Sequence, residues 1–441
     1  AWSVAPAAPV TPAPAAAFNP FALPSAPAPG AAPQGFYAPG YAAPQARPAS
    51  GDPVLSAIDR QIAELSRRAA PEIRGEVNVR VRSGEAGLSQ LSSLQGRASI
   101  STPVIGSGRL ALVVEPVTLD GGSANADARL RYGANPIPAG SALAAEGEPQ
   151  LVDIGAQTAS GVGVSVTYTS GAAALDLGTS PMGFRKVEPL GGVRWTPTIA
   201  PGVEGRIWAE RRAVTDSITS FAGSKDPVTG LTWGQVTRTG GGLGVVVDQP
   251  GTGAYAEVSA YRFEGDQTAD NQAYQVNLGA YVRPYRTEER ELQLGVNLNH
   301  QAYDNNQNRF TLGHGGYFSP QAFTSLAMPV TFRHRSPAWN LEVGVTPGYE
   351  TYREDAVAVF PNRPDLQGQL EFLAGESERV SAFYPSRSRS GFGVSAGGKL
   401  EYNLNGSAQL GVEARYSGFG DYDETRGAIY LRQTLGAGGR P

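Results

Sequence analysis

The sequence predicts an all-β protein, a transmembrane antiparallel β-barrel of about sixteen strands. Three observations support this fold class. Long segments alternate apolar and polar residues with period two, aromatic residues collect toward the ends of these segments, and short connections alternate with long ones. Strict alternation over nine or more residues gives a strand one apolar and one polar face. Such lengths suit a tilted membrane strand better than the shorter strands of soluble proteins.

The number of strands follows from the alternating segments. The pattern is clearest at 274–283, 292–299, 339–346 and 408–415, and eleven strands can be counted from residue 188 to about 435. An even total of sixteen would return both ends of the barrel to the same side of the membrane. Sixteen strands also leave a water-filled lumen. Residues 73–169 supply the remaining five strands, near 73–82, 93–103, 108–119, 127–134 and 160–169.

The connections and the aromatic residues are typical of an outer-membrane barrel, which has short turns on one side and long loops on the other. Long loops are predicted at 212–230, 303–321 and 352–390. Short turns are predicted near 197–201, 248–252, 286–289, 335–338 and Asn405-Gly406. The residues assigned to an interfacial aromatic girdle are Trp195, Trp208, Trp339, Tyr349, Tyr352 and Tyr416.

Composition excludes several classes of function. The chain has no cysteine, so thiol catalysis and thiolate metal sites are impossible. The formal net charge of −4 gives no electrostatic basis for nucleic-acid binding. Only His300, His314 and His334 could serve a histidine-based site, and none shows metal-ligand spacing. We therefore expect neither an enzyme nor a metal or cofactor site.

Two segments precede the predicted barrel at 72–441. Residues 1–51 form a Pro/Ala-rich linker that we expect to be disordered, because 12 of the 34 prolines lie within 1–49. Residues 52–71 are predicted to form one amphipathic helix that begins at Asp52-Pro53 and ends near Pro71. The helix could lie on the surface, plug the pore or be the last helix of an upstream array.

Four phrases resemble the C-terminal domain of cellulose synthase operon protein C. They are LDLGTSPMGF at 175–184, ERRAVTDSITSFAG at 210–223, KDPVTGLTWG at 225–234 and NRFTLGHGGYFSPQ at 308–321. The resemblance covers roughly residues 73–435. It implies a sixteen-stranded, monomeric pore in the outer membrane of a Gram-negative bacterium, through which a nascent β-1,4-glucan (cellulose) chain leaves the cell.

The same resemblance implies the surroundings of the pore. In that family the barrel follows a periplasmic tetratricopeptide-repeat array, so we expect this chain to be a C-terminal fragment with a periplasmic N-terminal linker. The missing upstream repeats would connect it with the inner-membrane cellulose synthase complex and with periplasmic components. The other expected partners are the glucan polymer itself and outer-membrane lipid.

A glucan pore needs weak, repeated contacts, because conduction fails if one site binds too tightly. Aromatic rings can stack on the apolar faces of sugar rings, and polar side chains can bond the hydroxyl groups. Residue type alone is equally compatible with side chains that merely solvate a general pore. The predicted lumen residues are Tyr255, Glu257, Tyr261, Gln275, Asn277, Tyr281, Gln293, Asn297, Asn299, Asn340 and Glu342.

Two long loops are predicted to gate or guide the exit. The loop at 309–321 places aromatic residues among glycines, which suggests a loop folded over or into the barrel mouth. Tyr317 and Phe318 are its ring-stacking candidates, and a packed lid without ligand contact is the alternative. The predicted gating residues are Arg211, Arg212, Asp216, Arg309, Phe310, His314, Tyr317 and Phe318. An ion-paired network that stiffens the rim is the alternative for the first three of these residues.

Two other functions remain open at this point. A general diffusion porin for small solutes would share the strand pattern but would conduct ions freely. A secreted carbohydrate-binding β-protein would bury its apolar strand faces and would not require detergent for extraction.

Overall fold

A computed structural model of the protein describes residues 70–104, 108–405 and 407–435. These residues form a barrel of sixteen antiparallel strands. The predicted linker at 1–51 and residues 52–69 of the amphipathic helix predicted at 52–71 lie outside the described residues. The strands are β1 Glu72–Arg82, β2 Leu91–Pro103, β3 Arg109–Ser123, β4 Ala156–Ser170, β5 Ala173–Thr179, β6 Pro189–Trp195, β7 Val203–Ala213, β8 Thr232–Asp248, β9 Thr252–Asp266, β10 Asn271–Arg286, β11 Arg290–Tyr303, β12 Ala322–Ala327 with Val330–Arg335, β13 Trp339–Glu354, β14 Arg387–Asn403, β15 Ala408–Gly418 and β16 Glu424–Thr434.

The barrel closes by pairing its first strand with its last. Residues 72–82 of β1 pair in register with 434–424 of β16, so the sheet has no free edge along this seam. β12 is one strand interrupted at Met328-Pro329, and both of its halves pair with β11 and with β13. The prediction of a closed antiparallel barrel with sixteen strands is confirmed.

The first five strands were predicted incorrectly in one place. The predicted strand at 127–134 is instead the helix α1, Ala126–Leu130, followed by the two-residue strand Tyr132–Gly133. Asn125 caps this helix, because its side chain accepts a hydrogen bond from the backbone nitrogen of Ala128 at 2.8 Å. The fifth strand of the barrel is instead β5, Ala173–Thr179, which was not among the predicted strands.

The strands expose their apolar side chains and bury their polar ones, which is the reverse of the arrangement in a soluble protein. In β1, Ile73, Val77 and Val79 are exposed, whereas Glu76 and Arg82 are buried. The same inversion recurs around the barrel, with apolar residues outside and polar ones inside. This arrangement is stable in lipid, because the exposed apolar face contacts hydrocarbon and each strand pairs its backbone with both neighbours around the closed sheet.

The aromatic girdle is smaller than predicted. Trp195 and Tyr349 are about half exposed on the outer face, but Trp208 and Tyr352 point inward. Trp208 donates a hydrogen bond from Nε1 to the hydroxyl of Tyr261 at 2.9 Å. The prediction was wrong for Trp208 and Tyr352, because both occupy the inward phase of their strands rather than the outward phase.

The connections alternate in length as predicted. The turns between β4 and β5, β8 and β9, β10 and β11, and β12 and β13 each have two or three residues, whereas all the long connections lie at the opposite end of the barrel. Those long connections hold α1, α2 Pro136–Ala144, α3 Ile218–Phe221 and α4 Pro364–Glu376. Within the described ranges, no helix is long and apolar enough to span a membrane.

Gln235 adopts a backbone conformation that usually requires glycine. Its φ is +48°, at a β-bulge where the pairing between β8 and β9 shifts register between Gly234 and Thr237. Its side-chain Oε1 accepts a hydrogen bond from the backbone nitrogen of Lys186 at 2.8 Å, and the side chain is buried. This contact ties the bulge to the neighbouring loop and offsets the left-handed strain.

Candidate functional site

The long connections at one end of the barrel pack together into a cap, defined here as residues 124–155, 214–231, 304–321 and 355–386. Three of these segments contribute to one hydrophobic core, which also includes Trp233 from the end of β8. Tyr132 contacts Trp233 edge to face, with ring centroids 5.1 Å apart. The cap is therefore a packed structure with its own core rather than a set of separate loops. The buried members of this core are Leu88, Ala124, Ala128, Tyr132, Ala134, Trp233, Phe310, Leu312, Val359, Phe360, Leu370 and Ala382.

Residues 304–321, called here the plug segment, connect the cap to several parts of the barrel. The backbone nitrogen of Ala269 donates to the carbonyl of Gly313 at 2.8 Å, and the Thr311 hydroxyl donates to the carbonyl of Val359 at 2.7 Å. The turn within the segment is organised by Gln307, whose Oε1 accepts from the backbone nitrogen of Gly315 at 3.0 Å. The segment is thus bonded both to the connection between β9 and β10 and to the connection between β13 and β14.

A second contact between the plug segment and the barrel runs through Asp216, which lies in the connection after β7. This carboxylate forms an ion pair with Arg82 of β1 at 3.2 Å and accepts a hydrogen bond from the backbone nitrogen of Phe318 at 3.1 Å. Both charged side chains are buried, and the Arg82 guanidinium lies 3.1 Å from the centroid of the Tyr422 ring. Arg80 adds a hydrogen bond to the carbonyl of Thr215 at 2.7 Å. Three connections and the barrel wall thus meet at one buried ion pair.

The predicted gating residues of the plug segment are buried in contacts with protein. Tyr317 stacks on Phe263 of β9, with centroids 5.2 Å apart, and Phe318 packs edge to face against Phe323 and Tyr352. Phe310 lies in the cap core. In this closed arrangement neither candidate ring can stack on a sugar unless the plug segment moves.

Arg309 lies over the Tyr384 ring, 4.9 Å from its centroid, and 3.9 Å from Glu354. Burial and the neighbouring Arg387 lower its pKa, and Glu354 opposes that shift. Arg309 therefore joins the plug segment to the end of β13 and to the connection that follows it, by one ionic and one aromatic contact.

His314 is completely buried, and its Nε2 lies 3.0 Å from the carbonyl oxygen of Ala358. Burial lowers its pKa to about 3, helped by the positive charge of Arg309. The imidazole is therefore neutral inside the folded cap at any pH the cell surface normally meets.

The neutral state of His314 predicts that the cap loses stability in acid. The histidine takes up a proton in the unfolded cap below pH 6.5 but stays neutral in the folded cap down to about pH 3. Lowering the pH from 7 to 5 is therefore expected to destabilise the cap by about 2 kcal/mol. His314→Asn should remove this slope, measured as proteolysis of residues 304–321 against pH. A matched His334→Asn variant, outside the cap, should keep the wild-type slope, and equal slopes for all three proteins would contradict the prediction.

Arg211 and Arg212 end β7 with their side chains on opposite faces. Arg212 points inward, where it contacts Asp176 at 2.6 Å and Glu210 at 3.3 Å. Arg211 contacts Glu188 on the other face at 3.0 Å. The structure therefore does not bring these two residues together with Asp216 into one cluster.

All eleven predicted lumen residues occupy inward-facing positions. Four of them form one network across three strands, because Asn297 Nδ2 donates to the Tyr255 hydroxyl and to Asn277 Oδ1, both at 2.8 Å. Asn277 in turn lies 3.4 Å from Glu257. Asn340 and Glu342 are on β13, apart from this network, and Glu342 pairs with Arg333 at 2.9 Å.

Ion pairs neutralise much of the inner wall. Arg206 contacts Glu257 at 2.8 Å, Arg333 contacts Glu291 at 2.8 Å, and Arg283 contacts Asp248 at 2.7 Å. Glutamate and arginine thus neighbour each other on the wall instead of forming a field of one sign. A wall of this kind does not select strongly for ions of either charge.

Several inward aromatic rings lie flat across a glycine of the neighbouring strand. A side chain at these glycines would meet the ring at 2.1 to 2.3 Å from its first carbon. The facing rings and glycines are direct cross-strand partners, namely Trp208 with Gly242, Tyr255 with Gly279, Tyr281 with Gly253, and Tyr430 with Gly411. Trp208 and Tyr430 are lumen residues that were not predicted from the sequence. Glycines within otherwise regular strands were the available signal.

The fit between ring and glycine predicts a large effect of substitution. Gly279→Val would place its first side-chain carbon 2.3 Å from the Tyr255 ring, so the ring must leave the wall. We expect a loss of about 1–3 kcal/mol in unfolding free energy, measured by urea denaturation in detergent. Gly391→Val is the matched control, because a side chain there has no atom within 4 Å. Equal unfolding midpoints for both variants would contradict the prediction.

A small cavity of about 60 Å³ lies where the lumen meets the cap. Its wall combines aromatic rings with polar side chains from the barrel and from the plug segment. Residues that line it include Asp216, Arg238, Tyr261, Gln275, Gln301, Tyr317 and Phe318.

The closed strand order, the apolar outer face and the polar lumen define an outer-membrane β-barrel of the pore class, with its mouth closed by a cap. Residues 89–436 match the family described as the C-terminus of cellulose synthase operon protein C. The chain therefore belongs to this family.

Relatives from several bacteria support the assignment. The cellulose synthase operon protein C of Xanthomonas axonopodis pv. citri (strain 306) is 37% identical over 285 residues, which cover 63% of this chain and 19% of that relative. The protein of the same description from Pseudomonas fluorescens (strain SBW25) is 31% identical over 385 residues, 86% of this chain and 28% of the relative. The chain thus spans less than a third of the length of these curated relatives.

Solved structures support the fold independently. A bacterial polysaccharide outer membrane secretin superposes with a TM-score of 0.50 at 10% sequence identity, covering 83% of this chain and 99% of that one. At such low identity the likeness concerns the architecture of the barrel alone.

Proposed function

We propose that this barrel is an export channel that conducts a nascent β-1,4-glucan (cellulose) chain from the periplasm to the cell exterior. Membership of the cellulose synthase operon protein C family supports the polymer class. The observation that carries the proposal is the lumen wall, where ion pairs neutralise the charges and aromatic rings lie flat beside amide groups. A neutral polymer with many hydroxyl groups suits such a wall better than a charged solute does.

The channel guides the polymer passively and changes no covalent bond. Polymerisation at the inner membrane supplies the driving force, and segments upstream of the barrel connect it to the synthase complex and to periplasmic components. The barrel works as a monomer. The N-terminal linker is periplasmic, because β1 begins and β16 ends on the side of the short turns, which faces the periplasm in outer-membrane barrels.

The closed mouth argues against the alternative of a general diffusion porin. The cap crosses the lumen with buried aromatic rings and a buried ion pair, which would obstruct free diffusion of small solutes. In this proposal Arg211, Arg212 and Asp216 set the rim, and Arg309, Phe310, His314, Tyr317 and Phe318 hold the plug segment until a polymer displaces it.

Two measurements test the proposal together. Expression of the full operon with and without this protein should show extracellular cellulose only when the protein is present. Current through single pores in a planar bilayer should be blocked reversibly by cello-oligosaccharides and less by malto-oligosaccharides. Large currents indifferent to both sugars, with cellulose export unaffected by the loss of the protein, would favour the diffusion porin.

A further inference from the structure

Inward-facing amide side chains are concentrated on two neighbouring strands. β10 contributes two and β11 contributes four, in addition to Asn271, which is engaged with the plug segment through the Tyr317 hydroxyl. Every other barrel strand in the described ranges has at most one inward-facing asparagine or glutamine. The six side chains, called here the amide track, are Gln275, Asn277, Gln293, Asn297, Asn299 and Gln301.

Several polar atoms of the amide track have no partner within the protein. Asn299 is completely buried, and neither its Oδ1 nor its Nδ2 has a hydrogen-bond partner among the described residues. The same holds for Oδ1 of Asn297 and Oε1 of Gln293 on the same strand. Buried amides without partners are unfavourable and uncommon in native proteins. Four such atoms on one strand indicate a binding site for a ligand that both donates and accepts hydrogen bonds.

The amide track leads to the cavity beneath the cap. Gln275 and Gln301, at the end nearest the long connections, line the cavity of about 60 Å³, and Asn277 and Asn299 are the next inward positions on the same strands. Asn277 and Asn299 are direct cross-strand partners, so four amides form a compact square on the wall. The track is thus continuous from the middle of the lumen to the point where the cap closes it.

Two flat aromatic rings accompany the amide track. Tyr255 lies across Gly279 and Tyr281 lies across Gly253, and the Tyr255 hydroxyl accepts a hydrogen bond from Asn297 at 2.8 Å. A β-linked glucan carries its hydroxyl groups at the ring edges and apolar C–H groups on the ring faces. Tyrosine rings and amides on one wall match both surfaces of such a sugar.

The wall formed by β1 and β16 has no unpartnered amide among the described residues, although its Tyr430 also lies across a glycine. Five to seven strands away in the closed barrel, β1 and its neighbour β16 carry ion pairs such as Arg80 with Glu424 at 2.6 Å and Arg74 with Glu76 at 2.6 Å. These side chains satisfy one another. Hydroxyl groups offer them no stronger partner than they already have.

We propose that the polymer passes along one wall of the lumen, and that the amide track is its hydroxyl-binding surface. This inference rests on the proposed function and adds the place and chemistry of binding. A neutral glucan displaces the side chains that cover the track and forms hydrogen bonds with Asn277, Asn297 and Asn299, while Tyr255 and Tyr281 contact its ring faces. Because the track is uncharged and repeated, each contact is weak and the chain can advance from one amide to the next.

The test compares substitutions on the two walls by calorimetric titration of the full chain in detergent with cellohexaose. Asn297→Ala with Asn299→Ala is expected to weaken binding by about tenfold or more, from the loss of several hydrogen bonds. Asn78→Ala on β1 is the matched control, with the same residue type facing the lumen on a strand outside the amide track. It is expected to bind as the wild type does.

The single variant Asn299→Ala separates a loss of binding from a folding defect. Asn299 makes no hydrogen bond with the described residues, so its removal should leave the barrel intact. Its folding can be checked by heat-dependent migration on gels, and weaker binding of this variant supports the track.

Equal binding by the wild type and the two track variants, or equal losses on both walls, would overturn the inference. If the wild-type protein supports cellulose export but does not bind cellohexaose, the track is wrong and the proposed function stands. If it neither binds nor supports export, the proposed function fails as well.

Discussion

Replacement of residues 310–319 by a Gly/Ser segment of the same length is expected to convert a closed barrel into an open pore. These residues carry the rings and backbone groups that hold the plug segment across the mouth, including Phe310 in the cap core and Tyr317 against Phe263. Without them the chain keeps its length but loses its contacts. We expect single-pore conductance in a planar bilayer to rise by about tenfold or more, because pore conductance depends on the narrowest constriction.

The matched control for this experiment lies in the same cap. Residues 146–150 are exposed, so their replacement by Gly/Ser removes no buried contact and should leave the current unchanged. Unchanged current in the 310–319 variant would show that the plug segment does not close the pore. A rise in both variants would instead indicate a general loss of cap structure.

Substitution of Asp216 by alanine is expected to have the largest effect of any single change at the mouth. The carboxylate neutralises the buried Arg82 and accepts the backbone hydrogen bond from Phe318. Its loss leaves the buried Arg82 guanidinium without its carboxylate partner. Removing one partner of a buried pair costs about 3–5 kcal/mol. We expect a lower midpoint of urea unfolding and more frequent current openings, because the plug segment loses its connection to β1.

Asp365→Ala provides a control of the same chemistry in an exposed position. Asp365 pairs with Arg363 at 2.7 Å, but its side chain is 58% exposed. Exposed pairs contribute about 0–1 kcal/mol, so both unfolding and current should be nearly unchanged. If Asp216→Ala behaved like Asp365→Ala, the buried ion pair would not hold the cap closed.

The inward positions of the lumen were predictable because strand alternation is a local property. Once a strand is recognised, every second residue must share a face, so Asn297 and Asn299 could be placed inside without knowledge of any contact. The same rule would have placed Trp208 inside. Its position near a strand end is typical of a girdle residue, but its place in the alternation points it into the lumen.

The total of sixteen strands was correct although two segments were interpreted incorrectly. The seven residues of β5 are too few for clear alternation, and their Leu175 and Leu177 belong to a phrase interpreted as a motif. The segment at 127–134 has apolar residues because Ala128 and Tyr132 pack into the cap, not because they face lipid. Burial in a cap and exposure to lipid select the same residue types, so composition cannot separate them.

Local sequence patterns are enough to predict the class of fold, the apolar outer face, the polar inner face and the sides of the short and long connections. Each of these depends on neighbours along the chain. The closed mouth depends instead on contacts between distant parts of the chain. Asp216, for example, joins Arg82 to Phe318, and each of the two lies more than one hundred residues away from it. The tertiary structure also sets which rings lie across which glycines. These contacts arise when the barrel closes and brings distant strands and loops together. A local sequence pattern therefore cannot predict them.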